Sequence, residues 1–173
     1  MIIPIANDHA GYSMKEKVKA LLQEMGHQVV DLGCFNEDNS VDYPDYGMEV
    51  ALSVSRGETE RGVLICGTGI GMSIVANKYP RIRAAVCHNV YTALTSREHN
   101  NANILVLGAR VLEWEEAKDI VTVWFTTEYT GGRHQARLDK ITALEKEMFG
   151  PNYAPKPVEH ACSCHHGIED AFK

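Results

Sequence analysis

Short, uninterrupted apolar runs recur along the chain and alternate with longer stretches whose apolar residues return every three or four positions. The runs fall at residues 2–6, 28–32, 63–66, 84–87 and 104–107 and are rich in Val, Ile and Leu. A strand wetted on one face alternates apolar with polar residues. Runs without that alternation are expected of parallel strands covered on both faces. Between the first two runs, Val18, Leu21, Leu22 and Met25 mark one face of a helix over 12–25, and Gly26 follows as its stop. Segments 46–55, 70–78, 91–99 and 113–126 carry the same period, and a last helix, 135–149, follows the break at Gly131 and Gly132. The alternation predicts an α/β domain of three layers, α/β/α, around a parallel sheet. Pro151, Pro155 and Pro157 end the pattern, leaving residues 1–149 as the domain and 150–173 as a C-terminal tail.

A chain of 173 residues, 45% hydrophobic and 23% charged, fits one soluble domain with a sizeable core. The formal net charge is −6 and no run of Lys or Arg occurs, which argues against nucleic acid or an anionic membrane as partner. No apolar run approaches a membrane span, and the first residues enter a strand-like stretch at once, without the pattern of a signal peptide. A cytoplasmic setting is expected. Cys34, Cys66, Cys87, Cys162 and Cys164 are odd in number, and three stand singly, so a disulfide framework is not expected.

In sheets of this kind ligands bind beyond the carboxyl ends of the strands, where loops lead into helix N-termini. The sharpest such loop is Cys66-Gly67-Thr68-Gly69-Ile70-Gly71. Its glycines allow close backbone approach, its successive N–H groups suit an oxyanion, and the helix start would favour a thiolate at Cys66. Met72 stands where a dinucleotide fingerprint would need its third glycine, and no Gly-Lys-Ser/Thr triplet follows. The same residues also make an ordinary tight turn with an inert cysteine. Asp8 and His9 follow the first strand, placed for acid–base work or phosphate binding, or for capping the next helix. His99, Asn100, Asn101 and Asn103 close the fourth helix: proton donors around a polyol, or simply a helix C-terminus with turn residues. Arg133 and Arg137, four apart, would share a helical face as a phosphate clamp or as a solvated patch, and Arg110 is open in the same way. His160, Cys162, Cys164, His165 and His166 crowd the tail, but without the paired spacing of a structural zinc site, so no metal site is assigned there.

Taken in order, Asn7-Asp8-His9-Ala10-Gly11, Asp42-Tyr43-Pro44, Ile65 to Gly71, Ala76-Asn77-Lys78, Ser96-Arg97-Glu98-His99-Asn100, Asn103-Ile104-Leu105, Gly108-Ala109-Arg110 and the stretch from Gly131 to Arg137 resemble the ribose-5-phosphate isomerase B family, which includes galactose- and allose-6-phosphate isomerases. The resemblance implies a five-stranded parallel, Rossmann-like sheet and aldose–ketose isomerisation of a sugar phosphate, with no cofactor and no metal. It implies Cys66 as the proton-transferring base and His99, with Asp8, as the acid that opens the sugar ring. Gly67, Thr68, Gly69, Ile70 and Gly71 would hold the enediolate, with Thr68 counted among the catalytic groups. His9, Arg133 and Arg137 would bind phosphate, while Asn100, Arg110, Tyr43 and His134 line the site. It further implies a homodimer or homotetramer whose subunits share each site. Galactose-6-phosphate isomerases tend to lack the Gly-Gly-Arg-His-Gln-x-Arg stretch; allose 6-phosphate remains an alternative substrate.

Overall fold

The computed structural model describes residues 1–150. Five parallel strands run β1 (Ile2–Asn7), β2 (Gln28–Asp31), β3 (Gly62–Cys66), β4 (Ala84–Val86) and β5 (Ile104–Gly108), paired in the order β2-β1-β3-β5-β4. They are joined by α1 (Tyr12–Glu24), α2 (Tyr43–Arg56), α3 (Ile70–Ala76) and α4 (Val90–Glu98). After β5 come α5 (Trp114–Thr126) and α6 (Gln135–Phe149). The tail cluster His160, Cys162, Cys164, His165 and His166 lies outside the described residues, and among the described residues no group of three His, Cys, Asp or Glu could hold a metal ion. No described helix is long and apolar enough to cross a membrane.

Both faces of the sheet are covered, which is why its strands lack alternation. Val63 and Ile65 of β3 join Ile3, Ile5, Leu105 and Leu107 against α1 and α5, around the fully buried Trp124. Leu64 and Cys66, one residue out of step, face the other way, with Val106, Val50 of α2 and Met72 of α3. Successive side chains of a strand point to opposite faces, so Cys66 belongs to the layer of the two helices that flank the glycine turn.

One boundary differs from the periodicity. α2 starts at Tyr43, three residues before the apolar repeat begins, with Asp42 as its N-cap in extended backbone and Pro44 in the first turn. Proline costs nothing there, because a first-turn N–H has no helical partner to lose. The earlier start carries the Tyr43 ring over the glycine turn. α6 is the outlier of the fold. It leaves the body through a 3₁₀ turn, Gly132–His134, and bonds back where the Arg81 N–H donates to Glu145 at 3.1 Å. Ile141, Leu144 and Met148 on it are exposed and border a cleft of about 500 Å³ against Ile82 and Ala84.

Candidate active site

The carboxyl end of β3 is the centre of the first group of site residues. Cys66 is 4% exposed, and its Sγ accepts the Gly69 N–H at 3.2 Å, the last residue before α3. The turn closes this tightly because Gly69 takes φ +81°, a conformation that a side chain would strain. Gly71 is required for a different reason: a Cβ there would lie 2.6 Å from Cζ of Tyr43. The Thr68 hydroxyl accepts the Ile70 N–H at 3.3 Å. Arg110 lies over Gly67, where a Cβ would meet its Cδ at 3.4 Å, and its own N–H donates to the Gly67 carbonyl at 2.9 Å. The turn thus offers a thiol, a row of backbone donors and a guanidinium around one spot.

Asp8 and His9 join this group from β1. The Asp8 N–H donates to the Ile65 carbonyl at 3.2 Å, and its Oδ1 caps the Gly11 N–H at 3.1 Å, so the capping role read from sequence is real. His9 accepts the Val41 N–H on Nδ1 at 3.2 Å. An accepting Nδ1 carries no proton in the neutral ring, which leaves the hydrogen on Nε2, free to donate to an anion.

Lys15 was missed by the sequence reading, although it sits in phase with Val18, Leu22 and Met25 on the buried face of α1. Its ammonium is fully buried, 2.9 Å from Asp31 and 2.9 Å from the Cys34 carbonyl, with the Phe35 ring 4.9 Å away. It pins the start of the loop whose far end, Val41, bonds His9 and leads into Tyr43. A charged residue at an apolar position of a helix was the signal.

His99, Asn100, Arg133, His134 and Arg137 form a second group, and it is elsewhere. α4 follows β4 and returns to parallel β5, so it runs against the strands and delivers His99 to their amino end. The contacts agree: the Asn103 carbonyl accepts from Gly62, the first residue of β3, and the Arg83 side chain, just before β4, donates to the carbonyls of Asn100 and Asn101 at 3.0 and 2.9 Å. Five residues of β3 at about 3.3 Å each put roughly 15 Å of sheet between the two groups. Thr130 donates both N–H and hydroxyl to the Glu98 carbonyl, which brings the 3₁₀ turn to the same place, and the His134 ring stacks on His99. Arg133 belongs to that turn and Arg137 to α6, which follows it directly, and both charges act on His134. Arg97, also missed from sequence, secures this end: it is buried against Trp124 and donates to Asn101 Oδ1 at 3.1 Å and to the Ala102 carbonyl.

Comparison with known proteins gives one answer. The profile of the Ribose/Galactose Isomerase family matches residues 3–141. The chain is 48% identical over 139 residues to ribose-5-phosphate isomerase B of Escherichia coli, covering 80% of this chain and 93% of that one. Among solved structures it superposes on ribose-5-phosphate isomerase B of Clostridium thermocellum with a TM-score of 0.83 at 51% identity, over 86% and 99% of the two chains. The Mycoplasma genitalium enzyme of that name, solved with bound ribulose 5-phosphate, gives 0.81 at 40% identity over 84% and 97%. With the five-stranded fold and a glycine turn under a strand-end thiol already in place, these matches identify the chain as an aldose–ketose isomerase that belongs to the ribose/galactose isomerase family.

Proposed function

We propose that the chain interconverts ribose 5-phosphate and ribulose 5-phosphate through a cis-enediolate, with Cys66 as the base. The observation that carries this is the Gly69 N–H on Cys66 Sγ at 3.2 Å, at the mouth of a row of backbone donors. In the open-chain aldose the thiolate removes the proton from C2, the O2 hydroxyl proton passes to O1 within the enediolate, and the thiol returns its proton to C1, leaving the ketone at C2. The negative charge moves onto the carbonyl oxygen and is met by the N–H groups of the turn. Each such preorganised donor is worth about 3–4 kcal/mol of barrier. The steps require neither hydride transfer nor a metal. The ribulose 5-phosphate in the Mycoplasma relative's structure supports the choice of sugar. Allose and galactose 6-phosphates are the competing substrates, and initial rates on all three decide among them.

Ribose 5-phosphate is mostly a closed ring, and opening it needs an acid. We assign this to His99, supplied by a second copy of the chain, since the sheet separates it from Cys66 within one copy. The homodimer reading has independent support in α6, whose exposed Ile141, Leu144 and Met148 form a stripe beside an apolar cleft and which starts from the half-site that must cross over. His9 and Arg110 from one copy, with Arg133 and Arg137 from the other, then surround the phosphate, and Asn100 faces the sugar. Replacement of Cys66 by Ala tests the base: isomerisation should vanish while the fold persists.

A further inference from the structure

His99 and His134 lie face to face, ring centroids 4.2 Å apart and planes within 7° of parallel. Parallel planes at that centroid distance form an offset stack, an arrangement that aromatic pairs prefer, and it persists when the backbone carrying both rings is fixed. Here it is: His134 N–H bonds to the Gly131 carbonyl, and the two bonds from Thr130 to the Glu98 carbonyl fasten the turn to the end of α4. His134 is 7% exposed in the chain, and its buried Nδ1 has no hydrogen-bond partner among the described residues. A buried imidazole whose nitrogen is unpaired is not held in place for its own hydrogen bonds. Protonating it would put an N–H on that nitrogen with no acceptor, so the neutral ring is the one that fits.

We propose that His134 is a positioning residue for His99: a neutral stacking platform that fixes the plane of the His99 ring and leaves proton donation to the sugar to His99. The proposal rests on His99 being the ring-opening acid. An imidazole at the end of a helix has free rotation about two side-chain bonds, and a parallel neighbour removes the freedom that would swing its donating nitrogen away from the ring oxygen. The charges around the pair favour the same division of labour. Burial first, then His99, Arg133 of the turn and Arg137 of α6, hold His134 below the ordinary imidazole range, with Glu98 of α4 opposing them. Protonation of His134 is therefore disfavoured relative to an ordinary imidazole, and the charge it would add faces Arg133 and Arg137.

The test compares His134→Ala, His134→Phe and His99→Asn with ribose 5-phosphate, measuring kcat and KM across pH. With His134→Ala, kcat should fall at least about tenfold while KM stays within about threefold. Phenylalanine keeps a flat ring and cannot titrate, so His134→Phe should recover kcat to within about threefold of the unaltered enzyme. It should also abolish the part of the acid-side loss of kcat that protonation of His134 causes. A His134→Phe enzyme as slow as His134→Ala, or one with KM raised as much as kcat is lowered, overturns the proposal and makes His134 a ligand of the substrate. Should His134→Ala prove too unstable to assay, the phenylalanine variant decides alone. An active His99→Asn enzyme would instead sink the assignment of the acid itself, whatever the His134 variants do.

Discussion

The two ends of the sheet are built from different materials. At the carboxyl end the thiol is met mainly by backbone, the N–H row of the turn after β3, closed by Gly69 and Gly71, with the side chains of Asp8, His9, Thr68 and Arg110 beside it. At the amino end they are side chains on helix ends, with His99, His134, Arg133 and Arg137 held by Arg83 and Arg97. Charge that develops on a reacting oxygen is best met by groups that are already fixed and lose no side-chain entropy when they act. A phosphate is charged from the outset and sits away from the bonds that change, so longer side chains suffice for it. A second contrast lies within the carboxyl end. Cys66 ends β3 and Cys87 follows β4, with β5 between them, and both are buried, yet the sulfur contacts of Cys87 are with the Ala85 carbonyl and the Ser96 hydroxyl, at 3.7 and 3.9 Å. Burial pushes its thiol up to about 11, so it stays protonated at neutral pH and inert.

The comparison can be broken most decisively at Cys66. Cys66→Ala should lower kcat by more than about a thousandfold, roughly 4 kcal/mol, and a variant keeping over a tenth of the activity would move the base elsewhere. His99→Asn should be as impaired toward ribose 5-phosphate but less so toward proton exchange from ribulose 5-phosphate, which cannot close a furanose. Mixing unfolded Cys66→Ala and His99→Asn chains and refolding them together sharpens the point. Random pairing makes half the dimers mixed, each with one intact site of two, so about a quarter of the activity should return if the halves are shared across a two-fold axis. No recovery would place the whole site in one chain.

Removing the fixed support of the carboxyl end should cost stability rather than turnover number. Lys15→Met removes one of the two ammonium groups on Asp31, Lys19 remaining at 3.0 Å, and leaves the Cys34 carbonyl without its donor, so a loss of about 1.5–3 kcal/mol in denaturant unfolding is expected. An unfolding midpoint equal to that of the parent would mean that Lys15 does not pin the loop. At the amino end the cost should appear in binding. Arg137→Ala should raise KM by roughly tenfold to a hundredfold, the worth of one charge-assisted contact of about 1.5–3 kcal/mol. Unchanged KM and no inhibition by inorganic phosphate would return it to the solvent. The smallest effect belongs to Cys87→Ala, with kcat within about twofold and stability lower by about 1 kcal/mol for a small cavity. Iodoacetamide should label Cys66 ahead of Cys87, and substrate should slow it; labelling of Cys87 first would erase the distinction.

Reading the strands from sequence worked to within a residue or two because a strand covered on both faces announces itself as an unbroken apolar run, as 63–66 and 104–107 do. Helix ends were less legible. The start of α2 at Tyr43 hides in a polar segment, since a first turn needs only a cap and a tolerant residue such as Pro44, not an apolar face. The 3₁₀ turn that carries Arg133 in front of α6 was hidden too, because the spacing of Arg133 and Arg137 says nothing of a tighter turn before the helix. Lys15 and Arg97 were overlooked for a common reason: a buried cation is recognised by its acceptors, and Asp31, the Cys34 carbonyl and Asn101 are distant or unremarkable in sequence until the chain folds.

By itself, then, the sequence determined the layered α/β fold, the glycine turn and the residue types that isomerisation needs, because these are local: periodicity, turn chemistry and a thiol next to a helix start. What only the tertiary structure decided was where those residues stand. The return of α4 against the strands puts His99 at the far end of the sheet from Cys66, and the turn before α6 lays His134 on it. Neither fact is written in any stretch of residues, since the direction of a connection and the pairing of distant turns follow from how parallel strands must be joined and packed.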